Sequence, residues 1–213
     1  MRSRIQMPVT PLHYPAGYIL SKTNKGLSLP GLLVGSVIPD IEVPLMWILF
    51  PGVWDHLFFH SLIGVFTVCT VLAVAITRFI YPPVISLIFG VDQRELKEAC
   101  QVTPALIVSC MLGALFHVLV DIPMHPFNPT LWPWVPPNEI VGSVVLFFGE
   151  GSMLLGFSRA NMLFSVIMGA LGVLILIANI NKNLWDEIWL GYSTSGEDYN
   201  RTGTNHSSSE IWD

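Results

Sequence analysis

Charged side chains are scarce in this sequence. Only 12% of its 213 residues are Asp, Glu, Lys or Arg, whereas 52% are hydrophobic and the mean hydropathy is +0.60. A soluble domain usually carries roughly a quarter charged residues. The chain also has no cluster of Lys and Arg that would neutralise phosphates, which argues against nucleic acid as a partner. The composition therefore predicts an integral membrane protein that does not bind nucleic acid.

Cysteine is also scarce, and several familiar motifs are missing. Cys69, Cys100 and Cys110 show no CxxC spacing, so neither a disulfide framework nor a cysteine zinc site is expected. There is no glycine-rich phosphate loop and no GxSxG nucleophile elbow. The N-terminal segment has no apolar core of the signal-peptide type, so we expect internal spans to direct insertion.

Long apolar runs predict an all-α, polytopic membrane helix bundle with about four transmembrane spans. A span needs about 20 apolar residues. The runs that meet this length are Ser61 to Tyr81, Pro104 to Asp121, Ile140 to Phe157 and Met162 to Ile180. Thr103 and Pro104 supply an N-cap and a first-turn proline for the second span. The polar segment 91–101 between the first two spans predicts a small surface helix.

The remaining segments have different compositions. Near the N-terminus we expect a short helix from Pro15. Two more short helices are expected to meet at Pro39 and Asp40, because proline and acid interrupt that apolar run. We expect residues 1–190 to form one integral-membrane helical domain, with the short N-terminal helices packed at one face. Residues 191–213 are rich in Ser, Thr, Asn and Gly, and we expect them to form a disordered tail.

Histidines and carboxylates collect at the ends of the apolar runs. His56 and His60 are four residues apart, as are His117 and Asp121, so each pair shares one helix face. The first two spans predict an antiparallel hairpin, which places both pairs at the same membrane face. The attached N-terminal segment brings His13, Asp40 and Glu42 to this face, and Asp55 precedes His56.

Imidazole and carboxylate groups together are the usual ligands of Zn²⁺, Mn²⁺ or Fe²⁺ at hydrolytic sites. We therefore predict a divalent-metal site, with zinc the first choice and manganese or iron the alternatives. The predicted ligands are His13, Asp40, His56, His60, His117 and Asp121. Glu42 and Asp55 are the predicted catalytic bases.

Each of these residues also has a plainer interpretation. A histidine at a membrane interface can simply cap a helix, and for His125 the two interpretations are equally supported. Ser61 fits a nucleophile less well than a helix-start residue that supports its neighbours by hydrogen bonds. Glu150 lies in the predicted third span, where it would either orient a ligand or pair with Arg159.

Four segments in order resemble a known group of proteins. They are "MPVTPLHYPAG", "GSVIPDIE", "HLFFHSLIG" and "LGALFHVLVDIPMHP", and they cover roughly residues 7–127. Together they resemble prokaryotic inner-membrane proteins described as membrane-bound metal-dependent hydrolases, and related membrane families of unknown function. The matching positions are His13, Asp40 with Glu42, His56 with His60 and Ser61, and His117 with Asp121. The HxxxD spacing is also distantly similar to that of zinc-dependent phospholipases C.

This resemblance implies a multi-pass protein of the prokaryotic inner membrane that uses a divalent metal. The expected reaction is hydrolysis of an ester or phosphoester in a lipid-like substrate, with membrane lipids as the surrounding partners. The chain departs from the family pattern at Leu57, where other members have arginine. The resemblance also places the natural start at Met7. Lys and Arg divide almost evenly between the two faces and slightly favour a cytoplasmic ligand face.

Two other functions use the same residues. One is a metal-handling or structural membrane protein without enzymatic activity. The other is a membrane scaffold whose histidines only cap helices. A transporter would carry polar groups through the depth of several spans, whereas here they gather at one end.

Overall fold

The computed structural model describes residues 13–50 and 56–192 of the chain. Within these ranges the regular structure is helical and contains no β-strand. Four helical stretches are long and apolar enough to cross a membrane. They are Leu29–Leu49, Leu62–Phe79, Pro104–Met124 and Met153–Asn179. The all-α fold and the number of spans are therefore as predicted, although the stretches that form the spans partly differ.

The N-terminal part begins with α1 (Tyr14–Thr23) and α2 (Leu29–Gly35). A short 3₁₀ turn at Pro39–Ile41 then leads into α3 (Glu42–Leu49). The predicted break at Pro39 and Asp40 is present. However, α2, the turn and α3 together are long and apolar enough to form a span. The sequence analysis had predicted only two short helices in this segment.

The first predicted hairpin is confirmed. One arm is α4 (Leu62–Gly64), a π-helical turn at Val65–Cys69 and α5 (Thr70–Phe79); the other is α8 (Pro104–Asp121). The Ser61 and Thr103 hydroxyls cap the two arms by accepting the amide protons of residues 64 and 106. Ser61 is therefore a helix cap. At the opposite end of the hairpin lie α6 (Tyr81–Phe89) and α7 (Gln93–Ala99), the latter being the predicted polar surface helix.

The predicted third span is wrong. The structure has a short helix α9 (Ser143–Phe148), then a turn, then α10 (Met153–Asn179). Glu150 and Gly151 have φ angles of 47° and 86°, which a helix cannot contain. Conversely, the predicted break at residues 158–161 is helical, and the polar Arg159 and Asn161 side chains donate to the carbonyls of Phe148 and Phe157. The last span therefore begins at Met153, and α11 (Leu184–Trp189) follows it.

Two glycines bring α2 and α8 close together. A Cβ at Gly35 would overlap the backbone of Cys110 and Ala114, and a Cβ at Gly113 would overlap the Leu32 carbonyl. Only glycine allows this approach. As a result, the carbonyl of Ser36 reaches the His117 ring on α8. The packing of these two helices thus sets the position of one site residue.

The predicted disordered tail, residues 191–213, lies outside the described ranges apart from Gly191 and Tyr192. Helix α11 ties the described C-terminal end to the bundle. Tyr14 and Tyr81 donate their hydroxyl protons to the carbonyls of Ile188 and Trp189, at 3.0 and 2.7 Å.

Candidate metal centre

Four of the predicted ligands converge at one end of the bundle. Asp40 comes from the 3₁₀ turn after α2, His60 directly precedes the α4 cap, and His117 and Asp121 lie in the last turns of α8. One ligand atom from each residue lies within 4.8 Å of the others, so the group could hold a metal ion. His60, His117 and Asp121 are buried, and Asp40 is partly exposed.

The spacing of the four ligand atoms resembles a coordination shell. His117 Nε2 lies 3.2 Å from Asp121 Oδ2 and 3.3 Å from Asp40 Oδ1. His60 Nε2 lies 3.9 Å from the same two carboxylates. Around a tetrahedral ion with bonds of about 2.0–2.1 Å, neighbouring ligand atoms stand about 3.3 Å apart. Moreover, the Nε2 atoms of His60 and His117 are buried and have no hydrogen-bond partner, although carboxylates are near.

The other ring nitrogen of each histidine is fixed by the protein. His117 Nδ1 lies 2.7 Å from the Ser36 carbonyl oxygen, and His60 Nδ1 lies 3.1 Å from Glu42 Oε2. Both acceptors select the tautomer that carries its proton on Nδ1. The Nε2 lone pairs then face the carboxylates. Metal-binding histidines usually show this arrangement, with the second nitrogen donating to a carbonyl or a carboxylate.

Glu42 has further partners besides His60. Its carboxylate accepts the backbone N–H groups of Leu57, Phe58 and Phe59 at 3.0, 2.6 and 3.1 Å. The side chain is buried in α3, so it joins the first span to the segment that leads into His60. Glu42 therefore fixes the position of His60. Asp55, the other predicted base, lies outside the described residues.

The two remaining predicted ligands lie beside the group of four. His13 stacks on His117 with ring centroids 4.2 Å apart, and its Nε2 is 3.8 Å from Asp121 Oδ1. His56 lies 4.2 Å from the His60 ring, again between centroids. Both histidines are buried. They surround the group closely but are not among the four converging residues.

His125 also belongs to this region, and the sequence argument did not assign it. Its ring lies 5.3 Å from that of His56, and its Nδ1 is 3.1 Å from the Asp121 carbonyl oxygen. Its Nε2 is buried without a hydrogen-bond partner. The spacing 117, 121, 125 continues the four-residue period of the HxxxD pair, and this was the signal available in the sequence.

A small cavity of about 10 Å³ adjoins the group. This is about the space that one water molecule needs. The residues that line it include His56, His60, Asp121, His125 and Thr130. The Thr130 hydroxyl is also buried without a hydrogen-bond partner. A polar molecule in this cavity would lie near buried polar atoms of His60, His125 and Thr130 that form no hydrogen bond.

Burial favours the neutral form of three histidines outside the membrane-spanning stretches, namely His13, His60 and His125. Burial lowers the pKa of His13 to about 4, and the neighbouring His117 ring adds to this effect. Burial, with the nearby His56 and His117 rings, lowers the pKa of His60 well below its ordinary value. Burial likewise lowers the pKa of His125. Neutral imidazole is the form that binds metals, because its lone pair is free.

Glu150 lies away from this group. It is exposed in the turn between α9 and α10 and pairs with Arg159 at 2.6 Å. Of the two roles considered for Glu150, the structure therefore supports pairing with Arg159.

Comparison with known proteins returns one family. The model of the YdjM inner membrane protein family matches residues 13–190, which includes all four candidate spans and the His/Asp group. Comparisons with curated proteins and with solved structures return no match. The match extends well beyond the segments 7–127 that carried the resemblance in sequence. With its four apolar helices, the chain therefore belongs to the YdjM inner membrane protein family and is a multi-pass inner-membrane protein.

Proposed function

We propose that the group formed by Asp40, His60, His117 and Asp121 binds a divalent metal ion, and that the protein is a metal-dependent hydrolase. The observation that carries this proposal is the pair of buried Nε2 atoms on His60 and His117. Both lie 3.2–3.9 Å from carboxylate oxygens. Buried nitrogens in this position are stabilised when a cation, either a proton or a metal ion, lies between them and the carboxylates.

The ligand set favours zinc, with manganese and iron as alternatives. Two imidazoles and two carboxylates suit Zn²⁺ in a tetrahedral site, whereas Mn²⁺ and Fe²⁺ take the same ligands with additional positions. When bound, such an ion acts as a Lewis acid that lowers the pKa of a water it binds and polarises an ester or phosphoester.

The neighbouring residues have separate roles in this proposal. Glu42 and the Ser36 carbonyl orient His60 and His117. His13 and His56 flank the ligands rather than completing the set. Because the Glu42 carboxylate already accepts three backbone N–H groups, we assign it a positioning role. Asp55 remains the predicted base.

The location of the group supports a lipid-like substrate. His60 and Asp121 lie at or near the ends of candidate membrane-spanning helices, where the ester and phosphate groups of lipids are found. Asp40 and His117 lie further along theirs. The distant similarity of the HxxxD pair to zinc-dependent phospholipases C points to the same substrate class. An ester or phosphoester at the membrane surface is thus the bond that we propose is hydrolysed.

A second candidate is a structural or metal-handling protein without catalysis. The observation in its favour is the number of protein ligands. Structural zinc sites are usually closed by four protein ligands, whereas catalytic sites keep one position open. Asp40 separates the two candidates, because it is the most exposed of the four, with 21% of its side chain accessible. In a hydrolase, Asp40 would give way to water or substrate.

The first test measures metal. The protein is purified in detergent and its bound metals are quantified by mass spectrometry, for wild type, His60→Ala, His117→Ala and the control Glu150→Ala. We expect about one ion per chain in wild type and the control, and none in the two histidine variants. Wild type without metal, or metal that persists in both histidine variants, would refute the proposal and its alternative together.

The second test separates enzyme from structural protein. Metal-loaded wild type is incubated with phospholipids and with a soluble phosphodiester, bis(p-nitrophenyl) phosphate. Hydrolysis that disappears in His117→Ala but persists in Glu150→Ala supports the hydrolase. Stoichiometric metal without hydrolysis of either substrate, and with reduced stability after chelation, supports the structural candidate.

A further inference from the structure

An apolar cleft runs beside the metal-binding group on the outer side of the bundle. Its volume is about 730 Å³, within the range of roughly 300–1,000 Å³ that is usual for small-molecule sites. One wall comes from α10, and the other from the start of α1 and the end of α2. Of the four spans, α10 is the least enclosed, with 17% of its apolar window buried against 44% for Pro104–Met124. The cleft is therefore open to the surrounding membrane.

Glycines make the cleft deep. Gly169 and Gly172 of α10 both line it. A Cβ added at Gly169 would meet no heavy atom within 4 Å, and one at Gly172 would meet only Pro15 Cγ at 3.8 Å. Open space therefore lies next to the α10 backbone at these two glycines. Unlike Gly35 and Gly113, these glycines do not permit a helix contact within the described structure.

The cleft adjoins the proposed metal centre at one end. Ser36 lines the cleft, and its carbonyl oxygen accepts the His117 Nδ1 proton. Tyr14 and Pro15, which directly follow His13, also line it. The cleft thus meets the metal centre through Ser36 and residues 14–15, and its α10 wall is formed by residues 168–176.

The opposite end is aromatic. Trp185 and Trp189 line the cleft there and belong to α11, which follows the C-terminal end of α10. Tryptophan is enriched where a span meets the membrane surface. The cleft therefore extends from Ser36 to α11, with the Tyr14 ring reaching across it to Trp189 at 6.1 Å between centroids.

The lining favours an apolar occupant. The Ser36 hydroxyl donates to the Leu33 carbonyl at 2.8 Å, and the Tyr14 hydroxyl donates to that of Ile188 at 3.0 Å. Both groups are thus already paired within the protein. Trp189 Nε1, at the end away from the metal centre, is buried without an acceptor. Most of the cleft surface offers only van der Waals contact.

We propose that this cleft binds an acyl chain of the lipid whose headgroup bond lies at the metal centre. The inference rests on the proposed function and adds the substrate class, a lipid with at least one long acyl chain. A lipid at the membrane surface extends its chains into the bilayer, and the cleft runs in that direction from the ligands. The cleft adjoins the metal centre through Ser36, where the headgroup bond of the lipid would lie, and this continuity favours a lipid chain over a helix of a second copy.

The test uses a phosphatidylglycerol that carries a diazirine in one acyl chain. The probe is added at a substoichiometric amount to protein in detergent, activated by light, and its attachment sites are mapped by mass spectrometry. Three proteins are compared: wild type, Gly169→Leu, which fills the cleft, and Leu174→Phe. Leu174 is an exposed α10 residue on the helix face opposite the cleft lining, so the substitution adds bulk on the same helix without filling the cleft.

We expect labelling of cleft residues to exceed labelling of the exposed α6 residue Leu87. Gly169→Leu should lower the cleft labelling about tenfold, as expected for excluding about two methylene groups, whereas Leu174→Phe should not change it. Equal labelling of cleft and exposed surface, or unchanged labelling in Gly169→Leu, would overturn the inference. Crosslinks between two copies through the cleft would overturn it as well.

This readout is independent of hydrolysis, so the two proposals can fail separately. Cleft labelling without hydrolysis of any substrate would leave lipid binding standing and refute the hydrolase. Hydrolysis without cleft labelling would support the hydrolase and refute lipid binding in the cleft. If both hold, Gly169→Leu should slow hydrolysis of long-chain phospholipid while leaving hydrolysis of bis(p-nitrophenyl) phosphate and the metal content unchanged.

Discussion

Two regions of this protein hold ionisable groups at the ends of apolar helices, and they differ in one respect. Arg159 and Glu150 form an exposed ion pair of 2.6 Å, so each charge already has its partner. At the end of α8, imidazoles and carboxylates are buried together, and the His60 and His117 Nε2 atoms have no hydrogen-bond partner. The first region satisfies its own charges, whereas the second buries ring nitrogens that form no hydrogen bond. Unpaired buried groups therefore identify a binding site better than charge alone.

The strongest test of this contrast is removal of the metal or its ligand. Chelation should lower the Tm of wild type in detergent, because an ion at about 1,000 times its Kd stabilises the folded state by about 4 kcal/mol. His117→Ala should unfold at the same Tm with and without chelator, whereas Glu150→Ala should respond as wild type does. Thermal unfolding followed by tryptophan fluorescence measures both. A wild-type Tm that does not change on chelation would contradict this difference between the two regions.

The glycine contacts allow one region to be disturbed without the other. A Cβ at Gly35 would overlap α8 beside the metal-binding group, and one at Gly156 would overlap the Val145 backbone near the Glu150–Arg159 turn. Each Ala substitution should destabilise the protein by about 1–3 kcal/mol through overpacking.

Only Gly35→Ala should also weaken metal binding, because α2 carries the Ser36 carbonyl towards His117. Metal titration of both variants, alongside their unfolding curves, checks this expectation. Equal metal affinity in the two variants would show that the α2–α8 contact does not set the site.

Glu42→Gln tests how the hydrogen bond to Glu42 positions one predicted ligand, His60. Glutamine keeps one acceptor oxygen but replaces the other by an NH₂ donor, so it accepts only some of the N–H groups of residues 57–59 and loses the negative charge beside His60 Nδ1. Metal affinity should fall about 10–100-fold, the usual effect of changing such a partner, while stoichiometry at saturating metal stays the same. Isothermal titration measures this change, and complete loss of binding would instead make Glu42 a ligand.

The smallest effect is expected at the exposed pair. A double-mutant cycle of Glu150→Ala and Arg159→Ala should give a coupling of about 0.2–1 kcal/mol, because water screens both charges. Unfolding of the four proteins under one set of conditions provides the measurement. A coupling of several kcal/mol would mean that this turn is as important for stability as the buried group.

The sequence was sufficient to bring the four converging residues together. The His117 and Asp121 pair and the hairpin required only helix periodicity and span length. His56 and His60, which were expected to share a helix face, lie instead in bends and a turn before α4. The same reasoning failed at Glu150, because hydropathy averages over a window and does not register a two-residue turn with positive φ. His125 was missed because proline neighbours indicate a loop, and loop residues have no face to assign.

Other parts of the centre have no signal in a single sequence. The acceptor for His117 is the backbone carbonyl of Ser36, which any residue would supply. The position of this carbonyl depends on how closely α2 approaches α8. Two isolated glycines in a sequence do not indicate which helix will pack against them. Glu42 was predicted as a base because it is acidic and nearby. Its backbone partners became evident only in three dimensions.

The origin of the four ligands also has a consequence for biogenesis. Asp40, His60, His117 and Asp121 enter the membrane in that order, and the set is complete once α8 has been inserted. Helix α10 supplies none of the four. An ion bound at this stage would link the first three spans while the last was still being synthesised. The final span would then dock onto a unit that is already assembled, rather than taking part in its assembly.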